Sequence, residues 1–398
     1  MTRSPLIFLL ATACASAESP QRVLETVPAD VEFTPTDVQF GPDGHVAWNG
    51  RKAGARVVFV DGKKVDATAE SVFVHFSADG KRFAVELRGK DRQRVFADGK
   101  AEEESDSIEF VAFSPDGSHL VTVTKTGKEK ALVIDGVKGA AGQSIEAIRF
   151  RGADVVYGLI SGGKGFIVTN ATMDAGIEGG FEIALSRDGT HAAIAVNRGG
   201  KGMVVVDGKP GTEGAEVEQP VMSHDGSRVA WATRKGDKSA VVLDGKAGES
   251  FDEVSDLGFS PDGKRFAYAA MLGEKAFVVL DGKKGEKFDA IGSGDLVFSP
   301  DGARFAYQGI RGEKCFVLVD GKKDPDFESV ASLTFSPDGK HLAYVAIVGG
   351  KECVVLDGKK GELFDGAGNP GFDASGKSLC YGAVKGRELW WRVTPIAK

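Results

Sequence analysis

One pentapeptide recurs along this 398-residue chain and limits what it can fold into. Phe259-Ser-Pro-Asp-Gly263 reappears from Phe298, Phe335 and Phe113. Weaker copies start at Phe40, Phe76, Leu185 and Met222, and degenerate ones at Phe150 and Phe372. Successive copies lie 35 to 39 residues apart, mostly 37. A second motif, at its best Val-Val-Leu-Asp-Gly-Lys, runs in step. Its Asp falls at Asp61, Asp98, Asp135, Asp207, Asp244, Asp281, Asp320 and Asp357, with Asn170 in the remaining place. Two motifs sharing one period mark a chain built from stacked supersecondary units.

Each unit reads as hairpins. In the stretch from Val254, Leu257 and Phe259 alternate on a first strand. Ser260-Pro261-Asp262-Gly263 has turn chemistry, because Pro presets φ and Gly accepts φ > 0. Phe266 and Tyr268 alternate on a second strand, and Gly273-Glu274-Lys275 reverses the chain. The apolar run Phe277–Leu280 fits a strand buried on both faces. Asp281-Gly282 suits a type I′ turn, which needs φ > 0 twice. A fourth strand is expected around Glu286–Ala290. Four strands in about 37 residues, repeated ten times, predict an all-β chain of four-stranded antiparallel propeller blades. The 54 glycines, about twice the usual share, supply the turns. No helical 3.6-residue periodicity is visible.

The Phe-Ser-Pro-Asp-Gly turns, followed by strands such as Lys264-Arg265-Phe266-Ala267-Tyr268, resemble those of WD-repeat and TolB-like bacterial β-propellers. The likeness covers residues 23–398. The Trp-Asp pair that ends a WD blade is replaced here by the Asp-Gly-Lys hairpin, so the resemblance implies the fold and not a function. Such propellers close when one chain end completes the blade begun by the other. The last repeat stops after Leu389–Val393, its third strand, and the spare segment Val23–Phe33 is expected to supply the fourth. Ten blades exceed the usual four to eight. One ten-bladed propeller is expected, with two smaller propellers as the alternative.

The first 17 residues read as an export signal, with Arg3, an apolar run Pro5–Leu10 and the small-residue cleavage pattern Ala15-Ser16-Ala17. Ala11-Thr12-Ala13-Cys14 also resembles a lipobox, which makes Cys14 a lipidation candidate. These features imply a periplasmic or extracellular chain, either soluble or an outer-membrane lipoprotein, touching membrane only through that anchor. Cys315, Cys353 and Cys380 remain, an odd number that does not make a disulfide framework. They are expected as small buried hydrophobes in strands. The net charge of −7 comes from interspersed charges with no basic arm, which gives no reason to expect nucleic-acid binding.

Two chemical-looking matches fail on context. Gly371–Ser378 fits the phosphate-loop pattern, but it aligns with the hairpin turn Gly258–Arg265 rather than with a strand-to-helix junction. Gly366–Gly371 fits a dinucleotide fingerprint but leads into a strand. Neither G-x-S-x-G nor H-E-x-x-H occurs. His119, His191 and His341 take places that are Arg82, Arg265 or Arg304 in other repeats. They are expected at solvated strand starts, not in a metal cluster. The Asp-Gly pairs lack the spaced ligands of an EF-hand. No catalytic residues, cofactor or metal are expected.

An acidic residue usually precedes the Phe motif by six or seven positions: Glu70, Asp106, Glu178, Glu216, Asp252, Glu328 and Asp365, joined by Asp289 if the Gly292-Ser293-Gly294 region holds a two-residue insertion. In related propellers that connection lies at the mouth of the central channel. The set is therefore a candidate acidic ring for a cation or basic partner, the alternative being that each acid caps its own turn. The Ser-Pro-Asp-Gly and Asp-Gly-Lys turns belong on the opposite face. The expected function is an interaction scaffold for a protein partner in the cell envelope, with the chain itself monomeric. The alternatives are small-ligand, glycan or cation binding at the channel mouth and, third, a hydrolase or lyase.

Overall fold

The computed structural model describes residues 21–396 except 66–68, 99, 152–153, 171 and 293–295. The export signal and Cys14 lie outside the described residues. The chain is an all-β propeller of ten four-stranded antiparallel blades. Two three-residue 3-10 turns, Pro35–Asp37 and Pro42–Gly44, are the helical elements among the described residues. Blade 7 shows the pattern, with strands Glu253–Phe259, Phe266–Leu272, Lys275–Leu280 and Lys283–Lys284. The fourth strand thus starts directly after the Asp-Gly turn, earlier than expected. The chain then leaves the sheet and touches it again at Phe288, which bridges to Ala276.

The turns follow the sequence logic. All nine residues at the Asp position of the second motif have φ between 48° and 52°, and Gly282 follows Asp281 at 78°. Asp tolerates this left-handed region because its carboxylate bonds locally. Here Asp281 Oδ1 accepts the Phe266 backbone N–H at 2.9 Å, and Asn170 Oδ1 does the same for Val155. In the first turn Ser260, fully buried, donates to Asp262 Oδ1 at 2.6 Å and accepts the Arg265 N–H at 2.9 Å.

The N-terminal strand Gln21–Thr26 pairs with Glu388–Pro395 and completes blade 10. The spare segment is divided, however: Val31–Glu32 turns away and pairs with the second strand of blade 1, Val46–Lys52. The cores lie between neighbouring blades. Phe277, Tyr268 and Phe251 pack with Ala230 and Ala232 of blade 6, while Phe288 and Phe305 pack against Ala267 and Val278 of blade 7. Burying one such aromatic stabilises by roughly 1.5–3 kcal/mol. Alanine on the second strand leaves room for the neighbour's ring. Cys315, Cys353 and Cys380 are buried in strands; Cys315 and Cys353 are free thiols, as expected, whereas Cys380 is disulfide-bonded.

Two compact units can be distinguished. One comprises Lys128–Leu132 and Lys138–Asp324, with blades 4 to 7 entirely inside it. The other comprises the described residues up to Gly127, Val133–Val137 and the chain from Pro325 onward.

Candidate functional site

In each blade the first turn and the Asp-Gly turn lie at one end of the strands, and the second turn lies at the other. The candidate acids belong to the second end. The Asp252 carboxylate accepts the Gly273 N–H at 2.6 Å, in the turn between the second and third strands of its own blade. Asp106 does this at Gly127, Asp289 at Gly312, Glu328 at Gly349 and Asp365 at Gly386, all within 2.6–2.7 Å. Four of these carboxylates also pair with a cation at or just before the start of the third strand of the preceding blade. Arg92 meets Asp106, Lys275 meets Asp289 at 2.6 Å, Lys351 meets Asp365 at 3.2 Å, and Lys238 meets Asp252. The Asp106 carboxyl is held below its ordinary range, first by the Gly127 N–H and then by Arg92. For Asp252 the Lys238 bond leads and Gly273 follows.

The remaining three acids are placed differently. Glu178 pairs with Lys164 at 2.6 Å. Glu70 contributes its backbone, donating to the Arg88 carbonyl and accepting from Arg56. Glu216 is exposed opposite Arg234. Five of the eight acids thus fasten turns, and four of those five together with Glu178 also meet a cation of the preceding blade.

The opposite face carries a second fastening, which the sequence reading treated as solvated. Arg265 pairs with Asp281 at 3.0 Å, and its guanidinium donates to the Ala303 carbonyl of blade 8 at 2.8 Å. It also lies 5.7 Å from the centre of the Phe298 ring in that blade. Arg82 and Arg228 repeat the arrangement. The partly exposed histidines at the equivalent strand starts use the same geometry. His119, His191 and His341 bind Asp135, Asp207 and Asp357 at 2.6–2.8 Å, as His45 binds Asp61. A constant 16-residue step from cation to Asp was the sequence signal for these clamps.

Sequence reading also missed a buried charge in blade 2. Glu86 is 3% exposed, where the corresponding residues of other blades include Val123, Ala195 and Ala269. Its carboxylate accepts from Arg88 Nε at 2.6 Å and meets His75 Nε2 at 3.0 Å. Burial alone would raise its pKa, but these two bonds outweigh it and the net direction is down. A buried carboxylate needs such partners to remain charged.

The first strand of several blades is irregular. Register slips between Glu146 and Arg149, Glu218 and Val221, Ser255 and Gly258, and Ala331 and Thr334. At these β-bulges Ala147, Gln219, Asp256 and Ser332 hold φ of 48–60°. Non-glycine residues occupy this region at a cost, and bulges redirect side chains. Bulged backbone also binds between blades: the Gln219 N–H donates to Glu182 Oε2 at 2.5 Å.

Gly371–Ser378 forms a hairpin turn, with the Asp373 N–H bonded to the Ser378 carbonyl at 3.0 Å, so the phosphate-loop pattern lacks its helix. Among the described residues no group of three or more His, Cys, Asp and Glu is arranged to hold a metal ion.

No family model matches the chain, and no curated protein matches it. Solved structures do. A eukaryotic initiation factor structure is 14% identical, with 89% of this chain and 99% of that one covered, at a TM-score of 0.51. The Dos1 propeller is 14% identical over 82% and 93%, at 0.40. The β-propeller domain of the Trilobed protease from Pyrococcus furiosus is 16% identical over 64% and 97%, at 0.35. The first of these likenesses agrees with the β-propeller fold derived from the blades.

Proposed function

We propose that this chain is a protein-interaction scaffold of the cell envelope, exported by its first 17 residues and similar in design to WD-repeat and TolB-like propellers. The observation that carries the reading is the set of recurrent bulges on the first strands. They hold Gln219, Asp256 and Ser332 in left-handed backbone at equivalent places in separate blades. Strain kept at equivalent positions in a repeat favours a role for the side chains it redirects. The clamps at both ends of the strands support the same reading, since preorganised blades lower the ordering cost of association. Five of the eight candidate acids already accept bonds from their own turns, which argues for a protein surface over a cation site.

The test compares two baits by cross-linked capture from envelope extract. One is the chain from Glu18. The other carries Gln219→Gly, Asp256→Gly and Ser332→Gly, which preserve the left-handed backbone and remove the side chains. A partner held by the first and lost by the second is the expected result. Capture of nothing by either bait, or of identical proteins by both, sinks the scaffold reading at these strands. Fractionation of cells expressing the chain and a Cys14→Ser variant tests export separately, and residence of both in the cytoplasm removes the envelope from the proposal.

A further inference from the structure

Blades 7 to 10 fill the corner beside their second turn with their own side chains. Each enters its first strand through a Phe followed by an acid: Phe251-Asp252, Phe288-Asp289, Phe327-Glu328 and Phe364-Asp365. All four rings are buried. Phe251 packs with Ala270 and Phe277 of blade 7, its ring 5.6 Å from that of Phe277. The acid after each ring accepts the N–H of the turn glycine, Gly273, Gly312, Gly349 or Gly386. An aromatic ring with a carboxylate beside it thus occupies the corner in each of these blades.

Blade 2 has the same strand pairing and neither group. The Glu70 N–H donates to the Arg88 carbonyl at 2.9 Å, as the Asp252 N–H donates to that of Met271. Leu87 pairs with Arg94 as Ala270 pairs with Phe277. These registers put Ala69 at the place of Phe251, Leu87 at that of Ala270 and Arg94 at that of Phe277. The place of the turn glycine falls to Lys90, which does not adopt the left-handed φ of Gly273, +64°. Among the described residues the Glu70 carboxylate makes no bond to this turn.

The result is a hollow of about 320 Å³, lined by Ala69, Leu87, Arg94, Glu104 and the turn at residues 89–93. All of these residues belong to one compact unit. Leu87 is buried and, with Ala69, gives the hollow an apolar wall. Arg94 and Glu104 form a long ion pair at 3.8 Å, both about half exposed. Arg92 is held more closely by Asp106, at 2.6 Å. Lys90 and Asp91 have no ion pair among the described residues. The volume is at the small end of ligand sites, which run from roughly 300 to 1,000 Å³.

We propose that this hollow binds a free aromatic α-amino acid. The ring takes the place that Phe251 fills in blade 7, against Ala69 and Leu87. Arg94, standing where Phe277 stands, suits an aromatic neighbour because a guanidinium stacks on ring faces. The carboxylate of the guest is met by Lys90 and Arg94, and its ammonium by Asp91 and Glu104, so each charge of the zwitterion finds its opposite. The Phe-Asp and Phe-Glu pairs of the other blades are the chain's own version of this guest.

Calorimetric titration of the whole chain with phenylalanine tests the proposal. Saturable binding is expected, with a Kd of about 1 mM or tighter. Hydrocinnamate lacks the ammonium, phenethylamine the carboxylate and alanine the ring, and each should bind at least about fivefold more weakly. Ala69→Phe refills the hollow from the chain and should abolish binding. Ala69→Phe with Leu87→Ala copies blade 7 more fully, and serves if the single variant does not fold. Lys90→Ala, at an exposed position, should weaken binding about threefold or more. Lys128→Ala, in the corresponding turn of blade 3, should leave it unchanged. Melting curves establish that each variant is folded. Failure of phenylalanine to saturate overturns the proposal. So does equal binding of any of the three analogues, binding that persists in a folded chain carrying Ala69→Phe, or a Kd that Lys90→Ala leaves unaltered.

Discussion

Arg265 donates through Nε to Asp281 Oδ2 at 3.0 Å, while the other oxygen of that carboxylate accepts the Phe266 N–H at 2.9 Å. One acid therefore closes the Asp-Gly turn, starts the second strand and anchors the arginine that reaches blade 8. The two roles can be separated by substitution. Asp281→Ala strands the Phe266 N–H and should destabilise by about 1–3 kcal/mol. Asp281→Asn keeps an acceptor and tolerates φ of 50°, so only the half-exposed ion pair is lost, a loss of about 1 kcal/mol or less. Denaturant midpoints compare the two variants, and equal losses would refute the split.

Glycine is required for two different reasons at Gly263 and Gly382. Gly263 has φ of +70°, so Gly263→Val forces a branched residue into left-handed backbone at about 1–2 kcal/mol. Gly382 has an ordinary φ but faces the Phe40 ring, whose nearest atom would lie 2.0 Å from an added Cβ. Gly382→Ala should therefore cost about 1–3 kcal/mol through overpacking. Trimming the ring with Phe40→Leu should recover part of that loss and leave Gly263→Val unaffected, as thermal midpoints of the single and double variants would show.

Much of the fold was legible because turn chemistry repeats in step with the period. The Asp of each Asp-Gly pair in the second motif was read as a turn former, and all eight lie in left-handed backbone. Closure was legible from the missing last strand. The partners of the turn residues were less so. Ser260 looked like ordinary turn punctuation but is a buried hinge of bonds. The 16-residue step from Arg265 to Asp281 was present in the sequence, as was the 21-residue step from Asp252 to Gly273, but such spacings acquire meaning only once strands are paired.

His191 occupies the clamp position held elsewhere by arginine, and Asp207 chiefly raises its pKa, with smaller contributions from Asp188 and Asp225. A base whose pKa is higher folded than unfolded stabilises below the unfolded value. That contribution disappears as pH rises through the folded value. The His191–Asp207 clamp should therefore be at full strength below about pH 6.5 and weaken above it. His191→Arg should keep the clamp and flatten this part of the pH profile. Thermal midpoints across the range check it, and an unaltered slope would show that His191 is not its source.

The strand Gln21–Thr26 covers the edge of Glu388–Pro395, and the fastening continues past it. The Val27 N–H donates to the Arg387 carbonyl at 2.9 Å, and Arg387 Nε returns a bond to the Val27 carbonyl at 2.9 Å. Removing residues up to Thr26 uncovers a strand with Trp390 and Trp391 on it. An unpaired edge offers its N–H and C=O groups to any other strand, including that of a second copy. The truncated chain should melt earlier and self-associate, with light scattering rising with concentration, while a chain beginning at Gln21 stays monomeric. Arg387→Ala in the longer chain should lower the melting point without association, because the edge remains paired. If the truncated chain were monomeric and equally stable, blade 10 would have to be complete without its N-terminal strand.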